Sequence, residues 1–332
     1  MDSPRFTRRS ALQVLGLGAA AGLAAPGIAR AQSYPTRPIN VVVPFATGGY
    51  NDRLARAFAP FLQKELGQPL VIVNRAGAGT QLGNMYFLQQ PDDGYTIMCT
   101  SAAPYIPLTI LLQNAPYKAE DFTMINLPSR DFTLAATSTD KQIQSIDQVI
   151  EALKKDPKSL SIGVQPASAD YANLILAMRA SGIDPAGLRI VTYDGGGPAR
   201  NATAGAQVDV GFVGGEGFLP LMDKIKPLAI FAAGPVEWFP EAPPISAAGV
   251  KTDFVEGSQR GWVVPTALKN EQPEIYTFIE GAVERASKNP EAIEALQAQQ
   301  LSTTWYGPQV SNEAYLVNAK KMAQYVDLLK GS

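Results

Sequence analysis

The stretch VVVPFATGGYNDRLAR, residues 41–56, changes character twice. Val41, Val42, Val43 and Phe45 make a β-branched and aromatic run suited to a buried strand, whereas Leu54, Ala55, Phe58, Phe61 and Leu62 recur at helical spacing. Between them stand Thr47, Gly48, Gly49, Tyr50, Asn51 and Asp52, so a strand, a glycine loop and a helix start lie side by side. In an open α/β sheet that junction falls at the carboxyl edge of the strand, where free backbone N–H groups and the helix dipole favour negative charge. The same residues also suit a plain βα turn in which Asn51 or Asp52 caps the helix.

Strand-like and helix-like segments alternate from Ile39 onward: INVVVPF, a helix over 52–66, PLVIVN, a helix over 80–90, then YTIMCTS. This βαβαβ start predicts a mostly parallel sheet. A second run follows, with TLAATS, a helix over 145–155, LSIGV, a helix over 169–181, LRIVTY, a helix over 198–206, VDVGFV, a short helix near 217–224, and PLAIFAA. After GWVVP the pattern becomes helical, over 272–288, 290–301 and 311–329. These helices have no strands of their own to cover and are expected to wrap back on a lobe already built. The expected organisation is α/β with two lobes, one from 34–132 plus 258–332 and the other from 133–257, with crossovers near 130 and 258 and a cleft between the lobes.

The chain has 332 residues, 46% of them hydrophobic and 17% charged, which is a globular composition with room for two domains. Its first residues, MDSPRFTRRSALQVLGLGAAAGLAAPGIARAQ, combine Arg8-Arg9, an apolar run from Ala11 to Ala25 and the small-x-small motif Ala29-Arg30-Ala31. This is the pattern of a twin-arginine export signal over 1–31, cleaved near Ala31. Gly16, Gly18, Gly22 and Pro26 dilute the run, which is weak for a spanning helix of ~20 apolar residues. Removing 1–31 takes away four Arg and one Asp and shifts the formal net charge from −2 to −5, which suits no nucleic-acid surface. Cys99 is the sole cysteine and has no internal disulfide partner.

The chain contains no His, which removes Ser-His-Asp and Cys-His catalysis, the HExxH zinc site and His-bearing metal clusters together. No G-x-x-x-x-G-K-[ST] and no G-x-S-x-G occurs. VNRAGAGTQLG has the spacing G-x-G-x-x-x-G and follows the second strand, a poor match to a dinucleotide fingerprint. No cofactor and no metal are expected. The loops PFATGGYND, NRAGAGTQLGN, CTSAAPY, GVQPASADY and YDGGGPA all fall at carboxyl edges, where uncommitted N–H groups would receive a carboxylate. Asp52, Asp170, Asp194 and Glu216 lie on or beside such loops; Asp52 and Asp170 also suit caps or braces, and Glu216 would suit a ligand bearing an amine or hydroxyl. Arg130 and Arg260 stand at the two crossovers, either as hinge ion-pair partners or, if they point inward, as bidentate anchors for a carboxylate. Tyr50, Tyr105 and Tyr193 could line the cleft as aromatic walls or as hydrogen-bonding rims.

From Tyr34 to the C-terminus, YPTRPINVVVPFATGG, LGQPLVIVNRAGAGT, PDDGYTIMCTS, VTYDGGGPA, GAQVDVGF and the NPEAIEALQ region resemble, in order, the landmarks of the periplasmic solute receptors of tripartite tricarboxylate transporters, the TctC-like or Bug receptors. The resemblance implies a two-lobed periplasmic-binding-protein type 2 fold, a Venus flytrap with a helical C-terminal segment, that closes around a small mono- or dicarboxylate. It implies a monomer in the periplasm that delivers its solute to a membrane permease, with no covalent chemistry. The ligand loops it implies are Phe45, Ala46, Thr47, Gly48, Gly49, Tyr50, Asn51 and Asp52 in the first lobe, with Thr100, Ser101 and Ala102. In the second lobe they are Gln165, Ala167, Ser168 and Asp170, then Tyr193, Gly195 and Gly196, with Glu216 near an acidic position. The break at Thr47-Gly48-Gly49 would then let backbone approach the solute, since glycine has no Cβ.

Two details depart from that family. Ala46-Thr47-Gly48-Gly49-Tyr50-Asn51 stands where members often carry a run such as Pro-Gly-Gly-Gly-Thr, which places the Tyr50 ring at the cleft mouth; Asn173 stands in the region of a usual His. Two other functions use the same cleft: a receptor that presents its closed form to a membrane sensor kinase, and an exported enzyme with Asp52 or Glu216 as acid or base.

Overall fold

The computed structural model describes residues 34–166, 168–232, 236 and 238–329. The expected export signal lies outside the described residues, and no helix among those described is long and apolar enough to cross a membrane. The chain first lays down β1 (Ile39–Val43), α1 (Tyr50–Leu66), β2 (Leu70–Asn74), α2 (Gln81–Leu88), β3 (Thr96–Ala103), α3 (Tyr105–Gln113) and β4 (Phe122–Arg130). It continues with β5 (Thr133–Ser138), α4 (Ile146–Lys155), β6 (Ser161–Val164), α5 (Ala169–Ala180), β7 (Arg189–Thr192), α6 (Gly196–Ala204), β8 (Val210–Gly214) and β9 (Ile225–Phe231). It returns through β10 (Gln259–Pro265) and ends in α7 (Thr266–Glu271), α8 (Pro273–Lys288), α9 (Pro290–Gln297), α10 (Gly307–Gln324) and α11 (Val326–Leu329).

Two five-stranded sheets result, in the orders β2-β1-β3-β10-β4 and β7-β6-β8-β5-β9. β10 pairs antiparallel with both β3 and β4, and β5 pairs antiparallel with both β8 and β9. The remaining four strands of each sheet therefore share one direction, and the lone reversed strand is the first one laid down after the chain passes from the other sheet. The two sheets are built on one plan. This is the expected two-lobed α/β class, and its mostly parallel strands bring the loops after β1, β3, β6, β7 and β8 to carboxyl edges.

Local chemistry explains the main elements. Val41, Val42 and Val43 are fully buried, as a central parallel strand covered on both faces must be. α1 buries Leu54, Ala55, Phe58, Leu62 and Leu66, sets Phe58 5.1 Å from Trp262 of β10, and stops where Gly67 turns left-handed at φ 71°. Ser145 and Ser168 cap α4 and α5 by accepting from the N–H groups of Gln148 and Tyr171. α10 covers β4, which lies at one edge of the first sheet. Asn312 bonds both the N–H and the C=O of Met124, and Ser311 Oγ accepts from Leu127 N–H. Its far end reaches residues after the second sheet, where Tyr325 donates to Asp253 at 2.7 Å and Lys321 pairs with the same carboxylate.

The elements on residues that the sequence pattern left unassigned include α3 and β4 as well as the short α7. The α3 segment YIPLTILLQ is apolar almost all round and contains Pro107, so it shows no helical periodicity. β4 contains Pro128, tolerated because the strand lies at a sheet edge and is bulged there. Opposite Gly261, β4 carries one extra residue: Arg260 faces Ser129 while Trp262 faces Asn126.

The two segments that pass between the sheets run side by side. Asp131 N–H donates to Ser258 O at 2.9 Å, and a Cβ on Gly257 would collide with the backbone of Asp131 and Phe132. A Cβ on Gly261 would likewise collide with the Asn126 carbonyl, which is backbone and has nowhere to move. Gly261→Ala is therefore expected to destabilise the protein by about 1–3 kcal/mol or more, read as a lower urea midpoint at unchanged slope. An unchanged midpoint would show that the bulge relaxes freely.

Candidate functional site

The loop edges of the two sheets enclose a cavity of about 440 Å³. Residues 45–51, Arg53, Ser101 and Tyr105 line it from the first sheet, and Gln165, Asp170, residues 194–198, Arg200, Asn201 and Gly214 from the second. Ser258 and Arg260, where the chain returns, complete it.

The first loop is held from behind. Gly48 sits at φ 83°, and its N–H donates to Asp52 Oδ2 at 2.8 Å. Asp52 Oδ1 accepts from Asn74 and from Arg56. Burial alone would raise the Asp52 carboxyl, but the bonds from Arg56, Gly48 and Asn74 outweigh it and hold the group below its usual range. Asp52 is thus a brace for the loop and does not line the cavity. Asn51 does line it, and its amide donates to Ser101 Oγ at 2.9 Å, joining the loop to the end of β3. Thr100 and Ala102 lie fully buried in β3, away from the cavity, with Ala102 in the apolar core.

Around Arg260 the charges are matched. Its Nη2 lies 2.6 Å from Asp131 Oδ2, and its Nη1 lies 2.9 Å from both Glu216 Oε2 and Ser129 Oγ. Glu216 Oε1 accepts from Ser302 Oγ, and the Tyr50 ring lies 4.4 Å from the Arg260 guanidinium carbon. Tyr50 Oη accepts from Ser302 N–H, and its phenol is pushed up to about 12, first by burial and then by Glu216. Glu216 turns away from the first cavity and borders a second recess of about 360 Å³ together with Arg130. Arg130 itself is exposed and stacks on Tyr306, its guanidinium carbon 4.2 Å from the ring centre.

In the second sheet, Ser168 donates to Gln165 O while capping α5, so it shapes the Gln165 loop without lining the cavity. Ala167 lies outside the described residues. Gln165 Oε1 accepts from Tyr105 Oη at 2.9 Å, a bond across the cavity from one sheet to the other. Tyr193 packs against an apolar cluster of the second sheet, whereas Gly195 and Gly196 line the cavity at the start of α6, whose first turn has no side-chain cap. Asn173 bonds Thr133 and both backbone groups of Val255, a structural lock. Asp170 lines the cavity, its carboxylate accepting from Thr133 Oγ1 at 2.6 Å and from Gly214 N–H at 3.1 Å.

Arg200, which the sequence reading passed over, is a cation of the second sheet without a carboxylate partner among the described residues. It lines the cavity one turn into α6, donates to Gly214 O at 3.3 Å, and forms no ion pair among the described residues. A Cβ on Gly217 would overlap the Arg200 guanidinium, and one on Gly196 would lie 2.7 Å from its Nη1. Those two glycines make the space in which the guanidinium lies. The run of Gly195, Gly196 and Gly197 shortly before an Arg was the sequence signal.

Burial pushes the Asp170 carboxyl up to about 7; the Thr133 bond opposes this, Asp131 adds to it, and Arg200 and Arg260 oppose it. In the unfolded chain the same group loses its proton at about 3.9, so between about 4 and 7 the folded state holds a proton that the unfolded state lacks. Its contribution to stability falls as pH rises through that window and is level above it. The melting temperature of ligand-free Asp170→Asn protein, relative to the parent, should therefore rise between pH 4.5 and pH 8. An equal difference at both pH values would contradict this environment for Asp170.

The family described as "Tripartite tricarboxylate transporter family receptor" matches residues 54–325. Protein BugT of Bordetella pertussis is 30% identical over 295 residues, covering 87% of this chain and 87% of BugT. Among solved structures, a Rhodopseudomonas palustris protein with adipate aligns with a TM-score of 0.75 at 23% identity, over 89% of this chain and 98% of that one. MatC from Rhodopseudomonas palustris with bound malate aligns with a TM-score of 0.70 at 23% identity, over 90% of this chain and 99% of that one. The chain belongs to the receptor family of the tripartite tricarboxylate transporters.

Proposed function

We propose that this protein is a periplasmic receptor that captures a small carboxylate between its two sheets and delivers it to a membrane permease of the tripartite tricarboxylate type. The observation that carries the reading is Arg200, a guanidinium with no carboxylate partner in a cavity also faced by the uncapped first turns of α1 and α6. Backbone N–H groups and a guanidinium together suit a carboxylate, which accepts charge-assisted bonds from both. Family membership and the carboxylates named with two fold neighbours support the same class of solute. Residues 34–132 with 258–332 would act as one lobe and 133–257 as the other, moving about the paired segments near 131 and 257.

Calorimetry of the mature protein against malate, succinate, adipate and related acids tests the reading. At least one should bind, and Arg200→Gln should weaken it by roughly 10- to 100-fold, the size of a lost hydrogen bond to a charged group. Gly217→Ala should do the same with little change in melting temperature, because the added methyl displaces only the flexible end of Arg200. If no carboxylate binds, or if both variants bind like the parent, the reading is wrong.

A further inference from the structure

Gly214, the last residue of β8, holds two opposite charges apart on one wall of the cavity. Its N–H donates to Asp170 Oδ2 and its carbonyl accepts from Arg200 Nη1. Both side chains line the cavity, yet they form no ion pair with each other or with any other described residue. The other buried carboxylates nearby, Asp131 and Glu216, are both taken by Arg260. Asp170 receives one bond on each oxygen, from the neutral donors Thr133 and Gly214, and an ionised carboxylate has lone pairs for more.

The charge around the cavity gives no surplus for a polyanion. Arg53, Arg200 and Arg260 face it together with Asp170 and Asp194, and Asp131 and Glu216 lie directly behind Arg260. A solute whose only charges are carboxylates would bring one of them toward Asp170 and be repelled there. One with a carboxylate and an ammonium group would complete both poles. In an α-amino acid those groups sit on a single carbon, matching two charges anchored to the N–H and the C=O of a single residue.

We propose that the solute is an amino-carboxylate, its carboxylate received by Arg200 and the N-terminal amides of α6 and its ammonium nitrogen donating to Asp170. This rests on the receptor reading above and narrows its substrate class. The raised Asp170 carboxyl fits the arrangement, because burial without a counter-charge disfavours its ionised form and a bound cation restores it.

Matched acids separate this inference from the broader one. Propionate, lactate and alanine share a skeleton and differ by hydrogen, hydroxyl or ammonium at one carbon, as do succinate, malate and aspartate, and glutarate, 2-hydroxyglutarate and glutamate. Calorimetry at pH 8 should show, in the skeleton that fits, the amino member binding at least about tenfold tighter than its two partners, a modest charge-pair contribution. Asp170→Asn should bring that ratio close to one while the unsubstituted acid binds as well as before or better. If the unsubstituted or hydroxy acid binds the parent protein as tightly as the amino acid, the amino-carboxylate assignment is overturned and the receptor reading stands. That comparison uses the parent protein alone and does not depend on the variant folding. Binding by none of the nine overturns the assignment too, and if the acids of the preceding section are also silent the receptor reading falls with it.

Discussion

Arg260 meets two carboxylates at the place where the chain passes twice between its sheets. Asp131 lies on the outgoing segment, Glu216 follows β8 of the second sheet, and Arg260 stands at the start of the returning strand β10. All three are buried, so each has lost most of its hydration and depends on the others. Burial would lower the Arg260 pKa, yet Asp131 and Glu216 together raise it, so the guanidinium stays charged. Close approach of backbone makes the meeting possible. A Cβ on Gly214 would collide with the Asp131 carboxylate, and Gly257 and Gly261 leave room for the outgoing segment and for β4.

From that junction the cavity follows. Arg260 and Ser258 contribute to its lining, Tyr50 lies against Arg260, and the loop that Tyr50 ends is braced by Asp52. The second wall is set by β8, whose last residue positions both Asp170 and Arg200. The Tyr105–Gln165 hydrogen bond is a light contact from wall to wall, worth on the order of 1 kcal/mol, a scale at which solute binding can shift the balance between open and closed arrangements. The two cations thus differ in their pairing: Arg260 is held by Asp131 and Glu216, whereas Arg200 forms no ion pair among the described residues.

Much of the fold was legible in the sequence because it is written in periodicity. Val41 to Val43 and the stripe from Leu54 to Leu62 signal their elements locally, whereas Ser168, read as a ligand residue, proves to be the cap of α5. α3 was not legible because a helix apolar almost all round has no stripe, and β4 because Pro128 reads as a break unless the strand is known to be a bulged edge. At the site, the glycine loop after β1 announced itself, but the directions of side chains did not. Asp52 turns back to its own loop, where Asn74, 22 residues on, also holds it, and Glu216 turns to Arg260, Ser302 and Ser129, 44 to 87 residues away; such partners decide the orientations. Arg200 was overlooked because its setting depends on Gly217, which follows β8 in the chain and leaves the space its guanidinium occupies.

The unfolding free energy of Arg260→Met protein, set beside that of the same variant carrying Asp131→Asn and Glu216→Gln as well, tests the central role of this junction most directly. Arg260→Met alone should lose about 3–5 kcal/mol, because it strands two buried carboxylates, and neutralising both should restore most of that loss. A loss within about 0.5 kcal/mol for Arg260→Met, as for an exposed ion pair, would contradict the account.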